Sequence, residues 1–180
     1  MLNLRNHRVL LSAVGTLVVA GAGSGIAWSQ AERASEPADL LLDAVEHSES
    51  TMRDYIDEIS ARFDEIETTS DAGQQEELAT ALMTDVPDLA EDARADVLTA
   101  KEDAKAVTLP DGGGLDRARD AYVAHMDTWI AEYEQAMVAP AGVVEIEPRV
   151  NRTFDKAVAA FGRTQLDAGQ EERVDELLAD

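Results

Sequence analysis

Cysteine is absent from this sequence of 180 residues, and aromatic residues make up only 4% of it. The first absence excludes disulfide bonds, thiol chemistry and a lipid anchor attached to cysteine. Runs that favour β-structure are also scarce: beyond the N-terminal segment there is only Val143–Glu147, and one short strand cannot build a sheet. We therefore expect helices that pack mainly through aliphatic side chains.

Basic residues are also few: 15 Lys and Arg stand against 37 Asp and Glu, for a formal net charge of −22 at pH 7. All 37 acidic residues but only 13 of the basic ones follow residue 31, so this part of the chain carries −24. Such a surface repels nucleic acid and anionic lipid, and we expect no nucleic-acid partner. It favours solubility, and a sharper alternative is an acidic face that recruits a basic partner or divalent cations.

One stretch, Val9–Trp28, contains no ionisable side chain and follows the basic residues Arg5 and Arg8. A basic start, an apolar run and the small residues of Ser29-Gln30-Ala31 are typical of a secretory signal peptide cleaved after Ala31. The 20 residues of the run would also span about 30 Å as a helix, which is enough for an uncleaved membrane anchor. Both alternatives stay open, because three glycines weaken the second half of the run as a helix, whereas Trp28 suits an interfacial anchor.

The charges on either side of this run set its orientation. Arg5 and Arg8 precede it and acidic residues follow it closely, so the positive-inside rule keeps the N-terminus in the cytoplasm. We therefore expect residues 1–31 to be a signal peptide or membrane anchor, and residues 32–180 to be one exported acidic domain. The domain would be held at the cell membrane if the anchor is retained and secreted if the chain is cleaved.

Apolar residues recur at helical spacing through the rest of the chain. Ser35-Glu36-Pro37 predicts the start of a first helix, because it offers a capping side chain, an acidic first turn and a proline that needs no hydrogen bond there. This helix is predicted to end near Thr68. A second helix is predicted over residues Ala72–Val107, with Ser70-Asp71 as its cap.

Pro87 lies inside the second helix. It predicts either a kink or a break with Asp85 capping a restarted helix, and the unchanged phase of the apolar residues favours the kink. The later half of the apolar stripe consists mainly of small residues, such as Ala93, Ala100 and Ala104. This composition predicts close approach of a neighbouring helix that carries larger side chains.

A glycine-rich turn at residues 109–114 separates the second helix from a third, Leu115–Met137, which carries the aromatic stripe. Pro148 opens a fourth helix that ends at Gly162, and Thr164–Asp167, which has the pattern of a capping box, introduces a short last helix. The predicted fold class is therefore all-α. We expect an antiparallel helical bundle of four main helices plus a short C-terminal helix, preceded by the N-terminal signal or anchor segment.

Few residues are candidates for a functional site. Tyr122, His125 and Trp129 share a face of the third helix and could contact a ligand, although aromatic stripes more often belong to a core. His47 could join His125 only if the first and third helices face each other, and neither histidine has a second ligand at metal-binding spacing. Ser48 is adjacent to His47, but neighbouring helical residues point about 100° apart, so His47 is poorly placed to activate it. We predict no catalytic residue, no metal site and no cofactor.

Three hypotheses about function follow. The first is a non-enzymatic interaction or structural module of the cell envelope, with an envelope protein as its partner and with membrane contact through Val9–Trp28 if the chain is not cleaved. The second is an extracytoplasmic binding module for a small ligand or divalent cation, which would use Tyr122, His125 and Trp129. The third is an enzyme, which requires a pocket that contains His47 or His125. We expect the first, because it needs nothing that the sequence lacks.

Overall fold

A computed structural model of the chain describes residues 28–112, 114–142 and 148–178, with the backbone alone for residues 28–35 and 148. Within these ranges the chain is all-α and contains no strand. The helices and the one 3-10 turn are α1 (Trp28–Thr68), α2 (Ala72–Ala106), α3 (Leu115–Val138), the turn at Pro140–Gly142, α4 (Pro148–Phe161) and α5 (Ala168–Leu178). Residues 1–27 and the extended run predicted at Val143–Glu147 lie outside the described residues.

Contacts between neighbouring helices show that the chain folds back on itself at each connection. α1 packs on α2, α2 on α3, and α3 on α4. In the last two of these pairs, residue numbers rise along one helix while those of their contacts fall along the other: Arg94–Glu134 and Lys101–Asp127 between α2 and α3, and Tyr122–Phe161 and Glu132–Arg149 between α3 and α4. α2 and α4 therefore run antiparallel to α3, and the arrangement fits a helical bundle.

The short helix α5 returns to the N-terminal half of α1. Gln170 donates a hydrogen bond to the carboxylate of Asp39 at 3.0 Å. Arg173 donates to both Asp43, at 2.6 Å, and Glu46, at 2.7 Å. Because a cation here lies between two carboxylates, α5 neutralises part of the negative charge on the exposed face of α1.

The helices share one core in which small and large side chains are matched. α2 contributes mostly alanines, and α3, which packs on it, contributes the large aromatic residues. The stripe that predicted a close helix contact is thus buried as expected. The buried residues of α2 are Leu82, Val86, Ala90, Ala93, Val97, Ala100 and Ala104, and the buried aromatic residues of α3 are Tyr122, His125, Trp129 and Tyr133.

Several predicted boundaries are confirmed. α1 ends at Thr68, and Asp71 caps α2 by accepting hydrogen bonds from the main-chain N–H groups of Gly73 and Gln74, both at 2.9 Å. Pro87 lies inside one continuous helix, so the alternative of a break capped by Asp85 is wrong. The apolar phase is maintained across the proline because burial on both sides of it outweighs one missing hydrogen bond.

The predicted start of α1 is wrong. The helix already includes Trp28, the first described residue, so Pro37 lies well inside it instead of at its first turn. Ala31, Glu32, Arg33 and Ala34, which precede the proline, are all strong helix formers. They extend the helix through a site where the proline costs one hydrogen bond.

The predicted capping box before α5 is displaced by three residues. Asp167, not Thr164, accepts the hydrogen bonds of the first turn, from Gly169 at 2.9 Å and Gln170 at 3.0 Å. Gln170 in turn accepts from the main-chain N–H of Asp167 at 3.2 Å, which completes the reciprocal arrangement. The Thr164 hydroxyl is used elsewhere, since it donates to the carbonyl of Ala160 at the end of α4, at 3.0 Å.

Among the described residues, no helix combines the length and the apolar composition needed to cross a membrane.

The corrected cap yields a stability prediction. Asp167→Ala removes the acceptor for two main-chain donors and should lower the free energy of unfolding by about 1 kcal/mol, measured by urea denaturation. Asp175→Ala is the matched control, because it removes the same charge from an exposed position within α5. An equal loss in the two variants would show that charge, and not capping, is what Asp167 contributes.

Candidate functional site

A carboxylate lies within the apolar face that α1 turns towards the core. The buried stripe of α1 passes from Val45 to Met52, and Ser48 and Glu49 occupy the turn between them. Ser48 is fully buried and its hydroxyl points to the sulfur of Met52 at 3.9 Å. Glu49 keeps only 13% of its side chain exposed. The chain therefore brings an ionisable group into a contact that is otherwise apolar.

Two residues of α3 lie next to the carboxylate of Glu49. The Tyr122 hydroxyl donates a hydrogen bond to Glu49 Oε1 at 2.5 Å. His125 Nε2 lies 3.9 Å from the same oxygen, which is too far for a hydrogen bond. Since Tyr122 and His125 are three residues apart on a helix, both project towards α1.

α4 completes the cluster on the other side of the histidine. His125 Nδ1 lies 3.1 Å from the hydroxyl of Thr153. Phe154 packs against the imidazole with ring centroids 5.3 Å apart, and Phe161 packs edge-on against Tyr122 at 6.3 Å. A chain of polar contacts thus links α1 to α4 through α3, and aromatic rings flank it.

Burial shifts the pKa values of Glu49 and His125 in opposite directions. It raises the pKa of Glu49 from 4.5 to about 7, against the smaller opposing effects of the Tyr122 hydrogen bond and the charge of Arg53. It lowers the pKa of His125 from 6.5 to about 4, against a hydrogen bond to the carbonyl of Val150. In mildly acidic solution both side chains are therefore predominantly neutral.

A second aromatic group lies further along α1 and α3. Tyr133 stacks on Trp129 with centroids 5.5 Å apart and meets Tyr55 edge-on at 5.0 Å. The hydroxyls of Tyr55 and Tyr133 are buried without a hydrogen-bond partner among the described residues. Burial raises the pKa of Tyr55 to about 12 and that of Tyr133 still further, so both phenols stay neutral.

The structure places the predicted site residues as follows. Tyr122, His125 and Trp129 are all buried, each with no more than 5% exposed, and they form part of the core. His47 is exposed and lines a surface groove of about 410 Å³ with four other residues of α1, so the two histidines are not brought together. Ligand contact through the three α3 residues stays a prediction.

Two members of the cluster, Glu49 and Thr153, were not predicted. Glu49 could have been found from the sequence, because the apolar stripe of α1 steps by seven from Val45 to Met52 and a side chain must occupy the turn between. Thr153 offered no such signal, since its partner is on another helix. Neither the groove that contains His47 nor a second groove of about 200 Å³, which Tyr55 and Leu89 help to line, is lined by His125 or Glu49.

Comparison of the chain with protein-family models, with curated proteins and with solved structures found no match. The chemistry of the cluster is therefore inferred from its geometry. Within the described residues, no three His, Asp or Glu side chains are grouped so that they could hold a metal ion. What the cluster offers is two neutral proton-binding groups and a short phenol–carboxyl hydrogen bond, in a place that solvent barely reaches.

The hydroxyl of Tyr122 should matter more than that of Tyr133. Tyr122→Phe removes the hydrogen bond to a buried carboxyl and should lower the free energy of unfolding by about 1–3 kcal/mol. The loss should be larger at pH 8 than at pH 5, because Glu49 is ionised only above its raised pKa and a charged acceptor gains more from the bond. Urea denaturation at both pH values measures this.

Tyr133→Phe is the matched control, because it makes the same chemical change at a buried hydroxyl that has no partner. It should change the free energy of unfolding by less than about 0.5 kcal/mol or stabilise the fold, since removing an unpaired polar atom relieves its desolvation cost. Equal losses from the two variants would contradict the assignment of Tyr122 as the partner of Glu49.

Proposed function

We propose that this chain is an exported or membrane-anchored protein of the cell envelope, and that its helices form an antiparallel bundle that acts as a non-enzymatic interaction or structural module. The observation that carries the proposal is the junction between two segments. The apolar run that begins at Val9 reaches Trp28, and α1 already includes Trp28. The bundle would therefore follow the targeting segment with no flexible linker between them.

The charge distribution supports the outward orientation. Arg5 and Arg8 stand before the run, and every acidic residue of the chain stands after it. A body with a formal charge of −24 favours a solvated setting and a basic partner surface over contact with anionic lipid.

The exposed face of α1 is the surface that we assign to a partner. It carries acidic residues along its length, and α5 forms hydrogen bonds with Asp39, Asp43 and Glu46 near the N-terminal end. Further along, the second groove is lined by the acidic residues Asp54, Glu58 and Asp96 together with the apolar residues Leu89 and Ala93. A partner with basic side chains around an apolar centre would match this combination.

Interrupting the charge-free run tests export. Leu17→Asp places a charge in the middle of the run, and the full-length variant should stay in the cytoplasm, whereas the unmodified chain should be found outside it. Thr16→Ala is the control and should not alter export, because it leaves the run uncharged. Fractionation of cells that express each chain, with protease added to intact cells, measures the outcome, and an unmodified chain that stays in the cytoplasm would refute the proposal.

The mass of the mature protein separates the two forms of the proposal. A chain that begins at Glu32 has lost its anchor and the first four residues of α1. An intact chain in the membrane fraction keeps α1 continuous with its anchor. Both outcomes are compatible with export.

A further inference from the structure

The contacts of Thr153 favour one tautomer of His125. The Thr153 hydroxyl has main-chain acceptors within its own helix, the carbonyls of Val150 at 2.9 Å and Arg149 at 3.2 Å. When the hydroxyl donates its one hydrogen there, its oxygen accepts from the imidazole Nδ1, 3.1 Å away. This arrangement places the ring hydrogen on Nδ1.

The other ring nitrogen faces the carboxyl of Glu49. With hydrogen on Nδ1, the neutral imidazole presents a bare lone pair at Nε2, 3.9 Å from Glu49 Oε1. A carboxylate oxygen at this position would set one lone pair against another. A proton on the carboxyl removes this repulsion.

We propose that Glu49 and His125 form a neutral pair that holds one proton on the carboxyl, and that folding transfers this proton within the chain instead of exchanging it with solvent. In the unfolded chain at mildly acidic pH the carboxylate is ionised and the imidazole is protonated. On folding, the Nε2–H bond breaks and an O–H bond forms at Glu49. The net charge and the number of bound protons are unchanged.

Burial supports this placement of the proton, because a charged pair would have to be desolvated whereas a neutral pair would not. The raised pKa of Glu49 and the lowered pKa of His125 agree with it. The other ionisable groups that act on the carboxyl come from α1 and α3: Arg53 and Tyr122 on Glu49 itself, and Tyr133 through its phenol.

Three basic groups of the remaining helices form ion pairs with carboxylates other than Glu49. α2 directs Lys101 to Asp127 of α3, α4 directs Arg149 to Glu132, and α5 directs Arg173 to Asp43 and Glu46. These three basic groups therefore bind carboxylates other than Glu49.

The consequence is a core contact whose stability does not depend on pH in the mildly acidic range. A buried carboxyl with a raised pKa lowers the stability of the fold as pH rises from 4.5 to about 7. A buried histidine with a lowered pKa raises the stability of the fold as pH rises from about 4 to 6.5. The two effects oppose each other where the ranges overlap. The pair therefore lets the fold bury two ionisable groups without becoming sensitive to acidification.

Single substitutions should uncover the two opposed effects. In Glu49→Gln only the histidine remains, so unfolding should take up about one proton near pH 5.5, and its equilibrium constant should rise about tenfold for each pH unit lowered, relative to the unmodified chain. In His125→Asn only the carboxyl remains, and the same constant should rise about tenfold for each pH unit raised. Urea denaturation of the full chain followed by circular dichroism, at several pH values, measures both slopes.

The double variant Glu49→Gln/His125→Asn should regain the slope of the unmodified chain. Glu65→Gln and His47→Asn are matched controls, because they make the same kinds of change at exposed positions of α1, where solvent reaches the side chain before and after unfolding. Single-variant slopes that equal that of the unmodified chain, or that tilt the same way, would overturn the proposal.

NMR of the unmodified chain provides a test that does not require any variant to fold. At about pH 5.5 the ring nitrogens of His125 should report a neutral imidazole with hydrogen on Nδ1, and the side-chain carbon of Glu49 should report a protonated carboxyl. An imidazolium beside an ionised carboxylate would show that the pair is a buried salt bridge and would overturn the proposal.

Discussion

The hydrogen bond between Tyr122 and Glu49 is the contact on which the rest of the polar interior depends. A carboxyl that is removed from water is costly unless it is hydrogen-bonded or neutral; this one is hydrogen-bonded, and it is neutral below its raised pKa of about 7. Because Tyr122 binds Glu49, α3 is oriented so that His125 faces the same carboxyl and Thr153 can reach the far side of the imidazole. One polar residue on α1 thus determines which faces of α3 and α4 meet it.

The packing around this contact follows from side-chain size. α2 presents alanines where α3 presents Trp129 and Tyr133, so large rings fill the space that small side chains leave. The aromatic residues are thereby committed to the core. For this reason the partner contact that we propose lies on the surface of the bundle and not in an internal binding site.

Most of the fold could be predicted from apolar periodicity, and the predictions that were wrong have local causes. The ends of α1 and α3 and the cap at Asp71 follow from the residues themselves. The prediction for Pro37 was wrong because the sequence does not distinguish a proline in the first turn of a helix from one inside it. The prediction for Thr164 was wrong because a threonine can cap one helix or bond to the end of the helix before it. The burial of Tyr122, His125 and Trp129 could be predicted, but their partners Glu49 and Thr153 depend on how three helices meet.

The most direct test of the central claim is a double-mutant cycle between Glu49→Leu and Tyr122→Phe, measured by urea denaturation at pH 8. If the phenol–carboxyl bond joins α1 to α3, the two substitutions should be coupled by at least about 1 kcal/mol, because either one alone removes the same interaction. Additive effects, with a coupling below about 0.3 kcal/mol, would contradict the claim.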